Sequence, residues 1–225
     1  MKTYTADEMA VIIEKHGAWL RNKDSGERAN LSNANLCYAD LNHADLSNAD
    51  LRHADLCFAD LRNANLNHAD LRYADLSNAN LCYANLNHAN LSFADLCFAD
   101  LRHASLRHAD LSNADLRQAD LRFANLRFAN LRHANLSHAS GNASQLKTIH
   151  LETYSIAYTA EYLQIGCERH PIADWWAFDD ARIAKMDSPT SNIFWAKWKT
   201  VLHQIIEMSP ATPTGHETKA QEAAA

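Results

Sequence analysis

A mainly β fold is predicted for this chain: a solenoid of stacked square coils, with an N-terminal capping helix and an α+β module at the C-terminal end. Three observations predict it. A Leu stands at every fifth position from Leu31 to Leu136, 22 leucines without a gap. An Ala precedes each of them by two residues, from Ala29 to Ala134, and the residue between is Asp, Asn or, once, Ser105. No Gly or Pro interrupts residues 29–140. A period of five matches neither the helix nor the strand repeat, so on either element the leucines would scatter over every face. A backbone that turns a quarter circle per unit instead points each Ala and Leu inward, and four units close a square. Small Ala beside larger Leu fills a narrow interior at native density. The Asp or Asn suits a turn-rich backbone because its side chain bonds nearby main-chain groups. The 22 units make about five and a half coils, a rod about 26 Å long at ~4.8 Å per stacked strand.

Units such as Ala39-Asp40-Leu41-Asn42-His43 and Ala94-Asp95-Leu96-Cys97-Phe98 resemble the pentapeptide-repeat family, whose pattern is Ala-(Asp/Asn)-Leu-X-X. The resemblance covers residues 29–140, half of the chain, and implies a right-handed quadrilateral β-helix.

Residues 1–28 read as a capping helix and loop. Thr5-Ala6-Asp7-Glu8 fits a capping box, and Met9, Ile12, Ile13, His16 and Leu20 then share one helical face. A lid is expected there, because an open first coil would expose leucines and unpaired strand edges. After residue 140 the pattern decays. Gly141 replaces a Leu, while Leu146, Leu151 and Ile156 keep the register, so a degenerate coil is expected to continue. Tyr154–Tyr158 and Tyr162–Ile165 read as a hairpin. Ile172–Met186 and Asn192–Met208 read as two helices, joined by a turn at Asp187-Ser188-Pro189 and holding four of the five Trp. Residues 141–208 thus form a C-terminal module. Gln164-Ile-Gly-Cys167, His170 and Trp175-Trp176 resemble an appendage of phage and prophage pentapeptide-repeat proteins. Residues 209–225, rich in Thr, Ala and Pro, are expected to be a disordered tail.

A net charge of −6 argues against a general nucleic-acid binder. Met1–Leu20 lacks the apolar run of a signal peptide, and no stretch approaches the ~20 apolar residues of a membrane span. The expectation is a cytoplasmic protein with reduced cysteines, of which there are five.

Enzyme chemistry is not expected. There is no phosphate loop, no nucleophile–base pair and no metal-ligand spacing, and no cofactor is implied. His68, His88 and His108 should form a column of parallel rings rather than a converging set of ligands. Cys37 and Cys57 should stack as packing filler, and Cys167 near His170 lacks a third group. The outward aromatic residues are more informative: Tyr38, Phe58, Tyr73, Phe93 and Phe98, with Phe123 and Phe128, should stand outside the rod, where exposed apolar surface marks contacts. Through residue 90 the repeats hold Asp40, Asp45, Asp50, Asp55, Asp60, Asp70 and Asp75 against Arg52, Arg62 and Arg72, whereas residues 91–140 hold five Asp and six Arg. Gyrase-protecting members of the family carry a rod of duplex-like width and negative surface thought to imitate DNA. The resemblance implies the same for the acidic half here. Two readings follow: a non-catalytic rod that binds a cellular protein through its faces, with the C-terminal helices as a dimerisation module, or a DNA mimic acting on gyrase or another DNA-binding enzyme.

Overall fold

The computed structural model describes residues 1–152, 154–186 and 191–214. Its centre is a rod whose coils are paired in parallel at a register of 20 residues, from Asn30↔Asp50 to Asp120↔Ser140. Every repeat Leu is buried, as is every repeat Ala except the partly buried Ala39, and together they form one continuous core.

The unit Ala49-Asp50-Leu51-Arg52-His53 shows why five residues suffice. Ala49 N–H donates to Leu46 O at 3.0 Å and closes a β-turn. Asp50 N–H donates back to Ala29 O of the preceding coil at 3.0 Å. Leu51 N–H and His53 N–H donate forward, to Asp70 O at 2.8 Å and Arg72 O at 3.0 Å. The remaining amide, Arg52 N–H, donates to Asp50 Oδ1 at 3.2 Å. All five donors are satisfied, as a buried backbone requires. The turn needs a left-handed third residue, the signature of type II. Every fifth position from Asn33 to Ala143 accordingly has φ between 55° and 63°, with no glycine among them. Such φ values are uncommon for non-glycine residues and most costly for β-branched ones, and no Val, Ile or Thr occupies these positions.

At the N-terminal end, strand β1 (Lys2–Thr3) pairs in parallel with β2 (Ala34–Asn35). Helix α1 (Ala6–Leu20) begins with the expected capping box, Thr5 Oγ1 accepting from Glu8 N and Glu8 accepting from Thr5 N. It adds Met9 to the rod's core, with Ile12 and Ile13 packed against it.

At the C-terminal end the expected degenerate coil is replaced by an antiparallel sheet. Its order is β3 (Lys147–Leu151), β4 (Tyr154–Tyr158), β5 (Tyr162–Ile165) and β6 (Glu168–Pro171). The β4–β5 hairpin is present and has gained a neighbour on each side. Leu146 stays in the rod core, but Ile156 now belongs to a second core. At Gly141 a Cβ would lie 2.2 Å from Leu146 O, so the chain leaves the rod where only glycine fits. Alternation divides β4 between two partners: Ala157 joins the rod's core, whereas Tyr154, Ile156 and Tyr158 join Trp175, Phe194, Trp195 and Leu202.

The helix expected over Ile172–Met186 is two short ones, α2 (Ile172–Ala177) and α3 (Asp180–Ile183). They separate at extended Phe178 and at Asp179, whose side chain accepts from Arg182 N and starts the second helix. Helix α4 (Ser191–Met208) completes the module, and the turn expected at Asp187-Ser188-Pro189 lies outside the described residues. The chain after Met208 returns to the rod instead of leaving it. Tyr158 Oη donates to Ser209 O at 2.9 Å, Ala211 is buried, Thr212 N donates to Ser144 O at 3.0 Å and Phe128 N donates to Thr214 O. The rest of the expected tail, residues 215–225, lies outside the described residues. Among the described residues, no helix is long and apolar enough to cross a membrane.

Candidate interaction surface

Fifth-position side chains stack one coil above another, so each face of the rod carries a column of rings. Tyr38 stacks on Phe58 with centroids 5.1 Å apart, and His53, Tyr73 and Phe93 stack at 5.0 Å steps. Tyr83, His103 and Phe123 form a third column. His68, His88, His108 and Phe128 form the fourth, at 4.6 Å. Offset stacking contributes about 0.5–1.5 kcal/mol per pair beyond area burial, so the columns support the ladder. Most of the rings nevertheless remain open to solvent, from 49% exposed for Phe58 and Phe93, through 52% for Phe98, to 73% for Tyr38, whereas Phe128, expected to stand outside the rod, is half-buried. The three imidazoles lie side by side rather than converging. Burial first, and then the neighbouring His68 and His108, hold the His88 pKa below its ordinary value.

Each acidic candidate also has a structural task. Asp40 Oδ1 accepts from Asn42 N, Asp45 Oδ1 from Ser47 N, Asp55 Oδ1 from Cys57 N and Asp75 Oδ1 from Ser77 N. Asp50, Asp60 and Asp70 do the same, and each is also paired with the Arg two residues on, at 2.6, 2.5 and 2.7 Å. Hydrogen bonds from Arg52 and Arg62 hold the Asp50 and Asp60 carboxyls below their ordinary range. At Asp70 burial works upward, and Arg72 and Arg52 outweigh it. Three of the seven early aspartates are therefore neutralised locally.

Charge is sorted around the rod as well as along it. Asp55, Asp75 and Asp95 are stacked on consecutive coils, and Cys57, Ser77 and Cys97 stand where arginines stand elsewhere. None of these three carboxylates has an ion pair among the described residues. Two units further along each coil, the second position reads Asn65, Asn85, Ser105 and Asn125. There Arg107 and Arg127 have no carboxylate within 4 Å among the described residues. The sequence contained this sorting, but it emerges only when positions are compared 20 apart.

The cysteine column departs from the expected filler. Cys37 and Cys57 are joined as a disulfide, because a 20-residue separation brings their Cα atoms to 4.7 Å, within disulfide range. Burial pushes the Cys82 and Cys97 thiols up from their ordinary pKa. His170 does not make a catalytic arrangement visible: its Nε2 pairs with Glu168 at 2.9 Å, and its ring packs edge-on against Trp175 and Phe178. It lies with Cys167 and Arg169 in an open cleft of about 610 Å³ between β6 and the last coil.

Fold and surface together define a stacked β-solenoid whose repeated Ala and Leu interior leaves its outward residues free to vary from unit to unit. The chain belongs to the family of pentapeptide repeats: that model matches in eight copies that together span residues 29–147, more than half of the 225. Family membership makes the rod a right-handed β-helix. HetL of Nostoc sp. strain PCC 7120, a pentapeptide repeat protein involved in heterocyst differentiation regulation, is 41% identical over 52% of this chain and 56% of its own, with a TM-score of 0.31. This chain thus spans little over half of HetL's length. The pentapeptide repeat protein alr5209 of Nostoc PCC 7120 is 37% identical over 51% of this chain and 82% of its own, with a TM-score of 0.42. QnrB1, a plasmid-mediated fluoroquinolone resistance protein, is 22% identical over 50% and 76%, with a TM-score of 0.31. No curated protein matches the chain.

Proposed function

We propose that this protein is a non-catalytic interaction rod, cytoplasmic in location, that binds a protein partner through its outer faces. In this reading the rod is a quadrilateral helix of about five and a half coils, capped by α1. The observation that carries the proposal is the pair of exposed aromatic columns, Tyr38–Phe58 and His53–Tyr73–Phe93, on successive units of the same coils. Rings already ordered by stacking lose little entropy on binding, which favours them as contact residues. Phe98 extends the first column's line. Helix α4 presents Ile193, Val201 and Met208 to solvent and is the proposed dimerisation surface.

A second reading, a DNA mimic acting on gyrase or another DNA-binding enzyme, is favoured by the Asp55–Asp75–Asp95 column and by acidic Asp40 and Asp45. Affinity capture from bacterial lysate at low and high salt separates the two. Mimicry predicts a DNA-handling partner lost at high salt, because screening weakens exposed charge contacts. The aromatic reading predicts a salt-resistant partner lost on Tyr38→Ala and Tyr73→Ala. Changing Asp55, Asp75 and Asp95 to Asn removes unpaired charge while keeping the turn bond, so retention of a salt-sensitive partner by that variant would refute mimicry through this column.

A further inference from the structure

Cys37 Sγ, Cys57 Sγ and a carboxylate oxygen of Asp55 lie within 4.8 Å of one another. We propose that the reduced chain binds a zinc ion at these three groups, and that the Cys37–Cys57 disulfide is the alternative, metal-free state of the same site. Two thiolates and a carboxylate are a donor set that suits Zn²⁺, and a fourth position is left for water or an exogenous ligand. In a tetrahedron with Zn–S of about 2.3 Å, two sulfurs stand about 3.7 Å apart. Side chains on adjacent rungs with Cα atoms 4.7 Å apart reach that separation by rotating about χ1 once the bond is open.

The surroundings favour a cation. Asp55 uses Oδ1 for its own turn, accepting from Cys57 N at 3.1 Å. Its unit has Cys57 where six other units place an arginine against the same carboxylate. Oδ2 of Asp55 therefore has no cationic partner among the described residues. Asp75 and Asp95 continue the negative column on the following coils. All three donors are half-buried, and the stacked Tyr38 and Phe58 rings stand on the residues next to the two cysteines.

Conversion between the states balances simply. A low-molecular-weight dithiol gives two electrons and two protons to the disulfide and leaves as its own disulfide. Zinc then displaces the two thiol protons, because only thiolates ligate.

The test uses the full chain with Cys82, Cys97 and Cys167 changed to Ser, reduced anaerobically and titrated with Co²⁺ and then Zn²⁺. The expected result is one metal per chain, a thiolate-to-cobalt charge-transfer band bleached by Zn²⁺, and no uptake by the oxidised chain. Cys37→Ser should remove the band, and Asp55→Asn should weaken binding at least about tenfold. Both substitutions keep the fold, since Ser32 and Ser77 occupy the cysteine position in other units and Asn35 and Asn65 the aspartate position. Absence of the band in the reduced chain, or zinc uptake undiminished by Cys37→Ser, would overturn the proposal.

Discussion

The two ends of the rod pose opposite problems to the elements that meet them. Leucine and fifth-position amides always donate toward the next coil, so the first coil is left with carbonyls that no coil precedes and the last with amides that no coil follows. At the first coil donors are supplied. His16, fully buried, donates from Nε2 to Ser47 O at 2.9 Å, and Arg28 Nε donates to Asn48 O at 2.6 Å. At the last coil acceptors are supplied. Gln164 Oε1 accepts from Leu136 N at 3.0 Å, Ser155 Oγ from His138 N at 2.9 Å and Thr214 O from Phe128 N. Where the last coil offers a carbonyl, at Ala134, the donor is Arg169 at 2.6 Å. A solenoid is thus polar along its axis, and its ends are not interchangeable. The N-terminal seam uses a titratable imidazole whose pKa burial lowers, the C-terminal seam an amide, a hydroxyl and a guanidinium.

The largest expected effect breaks the C-terminal seam. Gln164→Leu removes the acceptor of Leu136 N and the donor to Asn135 Oδ1, Ser137 Oγ and Gly166 O. A buried unsatisfied group costs about 1–3 kcal/mol, and more than one is orphaned, so a loss of about 3 kcal/mol is expected in urea unfolding. Amide exchange should quicken first at Leu136 and not at Ala29. Next comes His16→Phe, which keeps the ring against Trp19 but strands Ala29 N and Ser47 O, at about 2 kcal/mol. Exchange should then quicken at Ala29 and not at Leu136. Equal quickening at both ends in either variant would mean that the rod opens as one unit and that the seams do not act separately.

These seams mark the limit of what sequence reading reaches. The rod is legible because its code is local: Ala and Leu at fixed spacing specify the interior, and Thr5 and Glu8 specify the helix start. The left-handed fifth position is written as an absence, the lack of β-branched residues, which is easy to overlook. His16 was visible on the apolar face of α1, but its partners Ala29 and Ser47 follow only once the helix is docked. Gln164 and Arg169 look like ordinary strand residues, because their role depends on where the rod stops. Leu146 kept the five-residue register and stays in the rod's core, whereas Leu151 and Ile156 kept it too and misled for a physical reason. The units there lack the Ala-Asx-Leu pattern, and tertiary packing with the Trp175 and Trp195 cluster outweighs the periodicity of two residues. The acidic half, counted along the chain, was partly cancelled by arginines folded onto their own units.

A smaller effect should separate the ends by pH. His16 Nδ1 accepts from Ala29 N at 3.1 Å, so only the neutral ring fits the site. Burial, the leading cause, lowers its pKa below the ordinary value, while Ser47 O and Asp45 act weakly upward. With a depressed folded pKa, the unfolded chain binds the proton first. Stability is therefore intact above the ordinary value of about 6.5 and declines as pH falls below it. Between about pH 7.5 and about pH 5.5 the wild type should lose stability, and exchange at Ala29 should rise. The His16→Phe variant should show a flatter profile. Arg169, though burial lowers its pKa to about 10, stays charged across this range, so Leu136 exchange should not follow the same curve.

The smallest effect concerns the paired carboxylates between the ends. Asp50→Asn keeps the acceptor for Arg52 N, as Asn30 does for Ser32 N one coil earlier. It removes only an ion pair whose Arg52 side chain is 45% exposed. Such pairs contribute at most about 0.2–1 kcal/mol, so the urea midpoint should hardly move at neutral pH. The variant should instead alter the surface, leaving Arg52 with Asp70 at 3.7 Å as its remaining carboxylate. If mimicry operates through the aspartates, Asp50→Asn should weaken binding by turning a locally neutral pair into a net positive one, even though the unpaired column Asp55–Asp75–Asp95 is untouched. If binding runs through the aromatic columns, the same variant should bind as the wild type does. Affinity compared between the two proteins at low salt separates these outcomes without disturbing either end of the rod.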